Sequence, residues 1–216
     1  MKIGLFGGSF NPVHSTHIDV ARSVMERLGL DKVLLIPAGN PYHKEQEEML
    51  PEELRFELVR LAVAGEAGLE VSDIDLGAEG PTFTIDTLTE AVKRYPDDEL
   101  YFIMGQDSFE SFSLWKDWEK IPKLANLVAV SREEADHGSM VHELQRIFTD
   151  IEQAGVNVWK IKDAKSVYII GDFDFVISST LVRDVWKQGG TVEDYVPEQV
   201  AHFMVANRGL FESYWH

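Results

Sequence analysis

The sequence contains no cysteine. That absence removes disulfide staples, thiolate zinc sites and cysteine nucleophiles together. Long apolar runs are missing as well, and nothing approaches the roughly 20 residues a helix needs to cross a bilayer. The stretch Met1-Lys2-Ile3-Gly4-Leu5-Phe6 runs straight into glycines, without the apolar core and cleavage site of a secretory leader. A cytoplasmic protein with no membrane partner is the expectation. Positive charge is scarce too. Lys and Arg number 20 against 37 Asp and Glu, a formal net charge of -17. A surface this acidic repels nucleic-acid backbones, so nucleic acid is not an expected partner. If the ligands are phosphates, the few cations must gather where the phosphates sit.

What is present is enough for a sizeable core. The chain has 216 residues, 44% of them hydrophobic, which fits one domain over 1–216. Lys2 to Phe6 reads as a buried strand, and the glycines after it as a turn. Ile18, Ala21, Met25 and Leu28 recur at helical spacing. Val33 to Ile36 is a second strand. Leu54, Leu58, Leu61 and Ala62 mark a helix after Pro51. Leu69 to Val71 is a weak strand, and Ile85, Leu88 and Val92 mark another helix. Leu100 to Met104 and Leu127 to Val130 are strands, separated by an aromatic helical segment. A helix is expected from Met140 to Ala154, then late strands over Val158 to Ile161 and Val167 to Ile170. Thr180 to Gln188 is a helix capped by Ser178 or Ser179, and Pro197 opens a last one. Strands alternating with helices imply an α/β fold, Rossmann-like and doubly wound, with a mostly parallel sheet and helices on both faces. Ligands bind such sheets beyond the carboxyl ends of the strands, where strand order reverses.

The first loop, Gly7-Gly8-Ser9-Phe10-Asn11-Pro12-Val13-His14, leads into a helix containing His17. Glycine lets a ligand approach the main chain. Small polar groups come from Ser9 and Asn11. The helix start favours an anion. His14 and His17, three apart, project to one side. The alternative is a generic strand-to-helix turn with surface histidines. A histidine metal site lacks a third ligand nearby, so no protein metal site is expected.

A second cluster, Ile177-Ser178-Ser179-Thr180-Leu181-Val182-Arg183, places three hydroxyls at a helix N-terminus and an arginine one turn on. These groups can hold phosphate oxygens. An ordinary helix cap with a solvated arginine is the alternative.

Taken together, the two clusters resemble the paired signatures of the HxGH/ISSTxxR nucleotidyltransferase superfamily, with Thr16 where the first signature carries glycine. Three further segments resemble the bacterial-type nicotinate-nucleotide adenylyltransferases. They are Pro37-Ala38-Gly39-Asn40-Pro41-Tyr42-His43-Lys44, Pro81 to Leu88 around Thr84, and Gly105-Gln106-Asp107-Ser108-Phe109 with Trp115-Lys116-Asp117-Trp118. The resemblance implies transfer of AMP from ATP to nicotinate mononucleotide in NAD biosynthesis, with Mg2+ arriving on the ATP. It implies His14, His17 and Arg183 as catalytic residues. ATP would also meet Gly7, Gly8, Ser9, Phe10, Gly105, Asp107, Ile177, Ser178, Ser179 and Thr180. Asn11, Asn40, His43, Lys44, Thr84 and Trp115 would meet the mononucleotide, with backbone amides near Thr84 taking the carboxylate and Trp115 stacking on the ring. A core role for Trp115, a solvated loop at His43 and Lys44, and helix N-capping by Asp107 remain the plain alternatives. An amide-mononucleotide enzyme, a pantetheine-phosphate adenylyltransferase and a non-catalytic ATP sensor compete at the level of function. A homo-oligomer is left open.

Overall fold

The computed structural model describes residues 1–40, 48–78, 80–131, 134–171, 173 and 177–215. Eight strands form one sheet: β1 (Lys2–Gly8), β2 (Lys32–Pro37), β3 (Leu69–Val71), β4 (Glu99–Gly105), β5 (Asn126–Val130), β6 (Ile151–Gly155), β7 (Val158–Ile161) and β8 (Ser166–Ile170). Their order is β3-β2-β1-β4-β5-β8-β7-β6. Strands β1, β4, β5 and β8 pair in parallel, while β7 and β6 turn back antiparallel at one end. The helices among the described residues are α1 (Ser15–Leu28), α2 (Glu52–Ala62), α3 (Thr84–Arg94), α4 (Gln106–Glu110), α5 (Ile121–Leu124), α6 (Glu134–Ile147), α7 (Ser179–Lys187), α8 (Glu198–Ala206) and α9 (Arg208–Glu212). This is the expected Rossmann-like, doubly wound α/β fold. No helix among the described residues is long and apolar enough to cross a membrane.

Central strands read as unbroken apolar runs because both of their faces are covered. All five residues of β5 are buried. The chain lays β2 and β3 on one side of β1, then returns to place β4 on the other. Strand order therefore reverses between β1 and β4, where sheets of this kind take ligands. The loops leaving those two strands start at Gly8 and Gly105.

The chain divides into two compact units. The first comprises Met1–Gly7, Val24–Val33 and Phe83–Asp174; the second comprises Gly8–Ser23, Leu34–Thr82 and Phe175–His216. Ile3, Leu5, Ile103, Leu127, Val128 and Val167 are fully buried in the first. In the second, Val13, Leu58, Val182, Val200, Met204 and Phe211 are.

Two expectations need correction. The helix expected to reach Ala154 ends at Ile147, and Ile151–Gly155 is a strand instead. Its burial pattern is exposed almost throughout, so it carries no apolar alternation to announce it. The helix expected after Pro51 is present as α2, with Arg55, Leu58, Val59 and Ala62 as its buried face. Leu54 and Leu61 on the same helix are half-buried. The second correction is that Gly7 and Gly8 do not form a turn. They continue β1, and the left-handed backbone belongs to Phe10, at φ 44°.

Candidate active site

The second unit holds the second cluster and all of the first but Gly7. In its first loop, a Cβ at Gly8 would lie 3.1–3.3 Å from the ring of Phe10. Gly8 is required by that close approach, not by its own φ. The Gly8 carbonyl accepts from the N–H of Ala38 at 2.9 Å. Phe10 is buried, and its ring meets the edge of His17 at 4.9 Å.

His14 immediately precedes α1, and His17 is the third residue inside it. The His14 N–H donates to Nδ1 of His17 at 3.2 Å. This is one half of a capping box, with imidazole standing where Glu or Gln usually does. The bond fixes a tautomer: with Nδ1 accepting, the proton of neutral His17 sits on Nε2. The two rings stack with centroids 3.6 Å apart. His14 is 6% exposed, and burial pushes it down to about 4. Burial, and then the neighbouring His14, hold His17 well below the usual range. Both rings are neutral at pH 7. Nδ1 of His14 is buried without a hydrogen-bond partner among the described residues.

The start of α1 offers less bare main chain than the sequence suggests. Ser15 N–H donates to the Tyr195 carbonyl at 2.9 Å, and His17 N–H to the His14 carbonyl at 3.0 Å. Two of the first three helical N–H groups are thus engaged, and hydrogen bonding to an anion falls more to the side chains. Thr16 is nine-tenths buried within helical backbone, which demands no glycine.

Helix α7 carries the second cluster. Ser178 is its N-cap, accepting from Leu181 N–H at 3.1 Å. Ser179 Oγ donates to the Pro12 carbonyl at 2.8 Å, and Arg183 Nη1 donates to the Asn11 carbonyl at 2.9 Å. Arg183 Nη2 donates to Thr180 Oγ1 at 3.4 Å. Ile177 precedes the cap, half-buried. The two clusters are therefore bonded directly to each other across 167 and 172 residues of sequence. As in any α-helix, the N–H groups of Ser179 and Thr180 have no partner within α7.

Four residues that complete this region, Glu48, Arg55, Lys187 and Trp215, escape a reading of the sequence. Glu48 Oε2 accepts from Arg183 Nε at 3.0 Å, and its Oε1 accepts from Lys187. Lys187 and Arg183 hold the Glu48 carboxyl below the usual carboxylate range. The Glu48 carbonyl accepts from Asn11 Nδ2 at 2.9 Å and from Trp215 Nε1 at 3.0 Å. Asn11 Oδ1 accepts from Leu50 N–H at 3.0 Å, so its amide bridges the 48–50 segment. Trp215 is 1% exposed and packs on Phe211, which gives the aromatic tail a role in the core. Arg55 is equally buried and donates to three carbonyls: Leu50 at 3.0 Å, Ser9 at 2.9 Å and Gly39 at 2.6 Å. It braces the first loop and the loop after β2. The spacing 55, 58, 59 and 62 was the available signal for Arg55. For Glu48 there was none, since its partner is 135 residues away. Asn40, exposed, accepts from Thr82 N–H at 3.1 Å through its carbonyl. His43 and Lys44 lie outside the described residues.

The first unit holds the remaining candidates. Gly7 is the penultimate residue of β1. Gly105 sits at the cap position of α4, with open space around it, and Asp107 is exposed in the first turn. The cap residue of that helix is a glycine and supplies no side-chain cap of its own. Thr84 is the first residue of α3, whose cap residue Phe83 likewise supplies no side-chain cap of its own. Lys116 pairs with Asp86 at 2.9 Å and lies 4.5 Å from the centre of the Phe83 ring. Trp115 is half-buried, 5.5 Å from Phe112 and edge-on to Phe102 at 6.2 Å. Part of its indole is left uncovered, unlike a core tryptophan. Among the described residues, no three His, Asp or Glu side chains gather as a metal cage.

Residues 5–185 match the model of a family described as cytidylyltransferase-like. A protein of Maridesulfovibrio salexigens named "Probable nicotinate-nucleotide adenylyltransferase" is 65% identical over 215 residues, covering 100% of both chains. A Geobacter metallireducens protein of the same name is 35% identical, covering 96% of this chain and 97% of the other. Among solved structures, Plasmodium falciparum nicotinic acid mononucleotide adenylyltransferase complexed with NaAD superposes with a TM-score of 0.74. At 16% identity, covering 98% of this chain and 97% of that one, it speaks for the fold.

Proposed function

Because the chain belongs to the cytidylyltransferase-like family, and within it to the nicotinate-nucleotide adenylyltransferases, we propose that it transfers AMP from ATP to nicotinate mononucleotide. The products are nicotinate adenine dinucleotide and pyrophosphate, and residues 1–216 act as one nucleotidyltransferase domain. The observation that carries this reading is the direct bonding of Ser179 to Pro12 and of Arg183 to Asn11. It ties the glycine–histidine loop to the hydroxyl–arginine helix at one place.

In this reading a phosphate oxygen of the mononucleotide attacks the α-phosphorus of ATP in line. A new P–O bond forms as the bond to the β-phosphate breaks. Phosphoryl chemistry of this kind needs positioning and charge stabilisation more than covalent help. His17, with its proton on Nε2, and His14 donate to phosphate oxygens around the α-phosphorus. They act as neutral donors. Arg183, Ser179 and Thr180 hold the departing phosphates, with Gly7, Gly8, Ser9, Phe10, Gly105, Asp107, Ile177 and Ser178 lining the nucleotide. Asn11, Asn40, His43 and Lys44 serve the mononucleotide. The N-terminal turn of α3 at Thr84 suits a carboxylate, and the uncovered indole of Trp115 suits a flat ring. Magnesium belongs to this scheme as part of the ATP, held by phosphates and water rather than by a protein cage.

The test is a substrate panel. The protein is incubated with ATP, magnesium and, in turn, nicotinate mononucleotide, nicotinamide mononucleotide and phosphopantetheine, and pyrophosphate is measured. Nicotinate mononucleotide is expected to be the best acceptor. A better rate with either of the others overturns the assignment, and release with none favours an ATP-binding sensor.

A further inference from the structure

Lys187 lies one turn beyond Arg183 on α7, four residues on, so both side chains leave the same face of the helix. In a chain so short of cations, two of them meet here beside the hydroxyls of Ser179 and Thr180. One anion already joins them. Each oxygen of the Glu48 carboxylate is held by a different cation, Oε2 by Arg183 and Oε1 by Lys187. Two oxygens on one centre, each on its own cation, is an arrangement that a phosphate group reproduces.

The way Glu48 is anchored matters. Its main chain is fixed separately, through its carbonyl, by Asn11 and Trp215. The carboxylate is not part of that anchor, and its side chain is 39% exposed. A change of side-chain rotamer releases both cations without unfastening the segment. Arg183 would keep its bonds to Asn11 and Thr180 meanwhile.

We propose that Arg183 and Lys187 form a two-cation seat for the terminal phosphates of the nucleotide, and that Glu48 fills this seat until a polyphosphate displaces it. The inference rests on the adenylyl-transfer reading for the identity of its ligand, and adds Lys187 as a binding residue and Glu48 as a competing anion. Displacement costs the ion pairs of Glu48 and gains those of a doubly or triply charged group. The seat therefore favours pyrophosphate and the tail of ATP over singly charged anions.

The probe is inorganic pyrophosphate, titrated by calorimetry into the full chain with no second substrate present. Glu48→Gln keeps the shape and removes the charge, and its pyrophosphate affinity is expected to rise about three- to tenfold, the worth of a partly exposed ion pair. Lys187→Met is expected to lose about tenfold, the worth of one charge-assisted contact. In steady-state kinetics the KM for ATP should follow the same directions, while the KM for the acceptor stays put. Thermal melts of both variants establish that they are folded. Unchanged pyrophosphate affinity in either variant, weaker binding by Glu48→Gln, or no binding by the unaltered protein overturns the proposal. If the panel above names a different acceptor, the pyrophosphate titration still stands, so the two failures are separable.

Discussion

At the scale of single residues, the histidine pair sets the chemistry. Burial keeps both rings neutral, with the neighbouring His14 adding to the effect on His17, so the pair offers hydrogen-bond donors rather than two clustered charges. His17→Ala removes a donor aimed at the reacting phosphate and is expected to lower kcat about 100- to 1,000-fold, with the circular dichroism unchanged. Near-normal turnover in that variant would refute the role. Burial of His14 also couples to acid stability. The unfolded chain takes up this proton near pH 6.5, the folded chain only at about 4. Between those values the unfolded state binds more protons, so stability falls as pH falls. From pH 7 to pH 5 the loss from His14 is on the order of 2 kcal/mol. Urea unfolding at the two pH values, for the natural protein and for His14→Gln, measures it. The variant should lose less.

At the scale of elements, Arg55 shows how a helix can position two loops at once. Its place on the buried stripe of α2 looks like a fault, since charge is costly to bury. Three carbonyls answer for it, from Ser9, Gly39 and Leu50. Arg55→Met would suit the apolar stripe but leave those carbonyls unsatisfied, and the second effect wins. A loss of about 3–5 kcal/mol in unfolding free energy is expected, with faster hydrogen exchange at residues 8–12 and 38–40. Stability within about 1 kcal/mol of the natural protein would count against the brace. The same helix marks the limit of what the sequence makes legible. Periodicity located α2 through its leucines, and says nothing of an arginine on its buried face. Clusters that work over a few residues, such as Ser178 to Arg183, were readable because a helix start organises them locally. Glu48 and Trp215 were not, because their partners are supplied by folding across more than 130 residues. Strand β6 escaped notice for a third reason: an exposed outer strand has no burial pattern to show.

At the scale of the whole molecule, charge works against substrate capture. A protein of net charge -17 repels ATP at long range, while the Arg183 and Lys187 seat attracts only at close quarters. Raising ionic strength from about 10 to about 150 mM shortens the Debye length from roughly 30 to 8 Å. The association rate of ATP in stopped flow is then expected to increase, where most phosphate-binding proteins slow down. A rate that falls with salt would mean that the local seat dominates. The same charge also bears on how copies of the molecule tolerate one another. Each end strand of the sheet could in principle template pairing with a second chain. The strand at one end, β3, has three residues, and that at the other, β6, has a register shift between Gln153 and Gly155. Near the sequence pI of about 4.7, mutual repulsion vanishes, and His14 is taking up its proton over the same acid range. Shortness and irregularity of those two strands are then what remains to resist aggregation, making mild acid the condition in which the colloidal shelf life of this protein is decided.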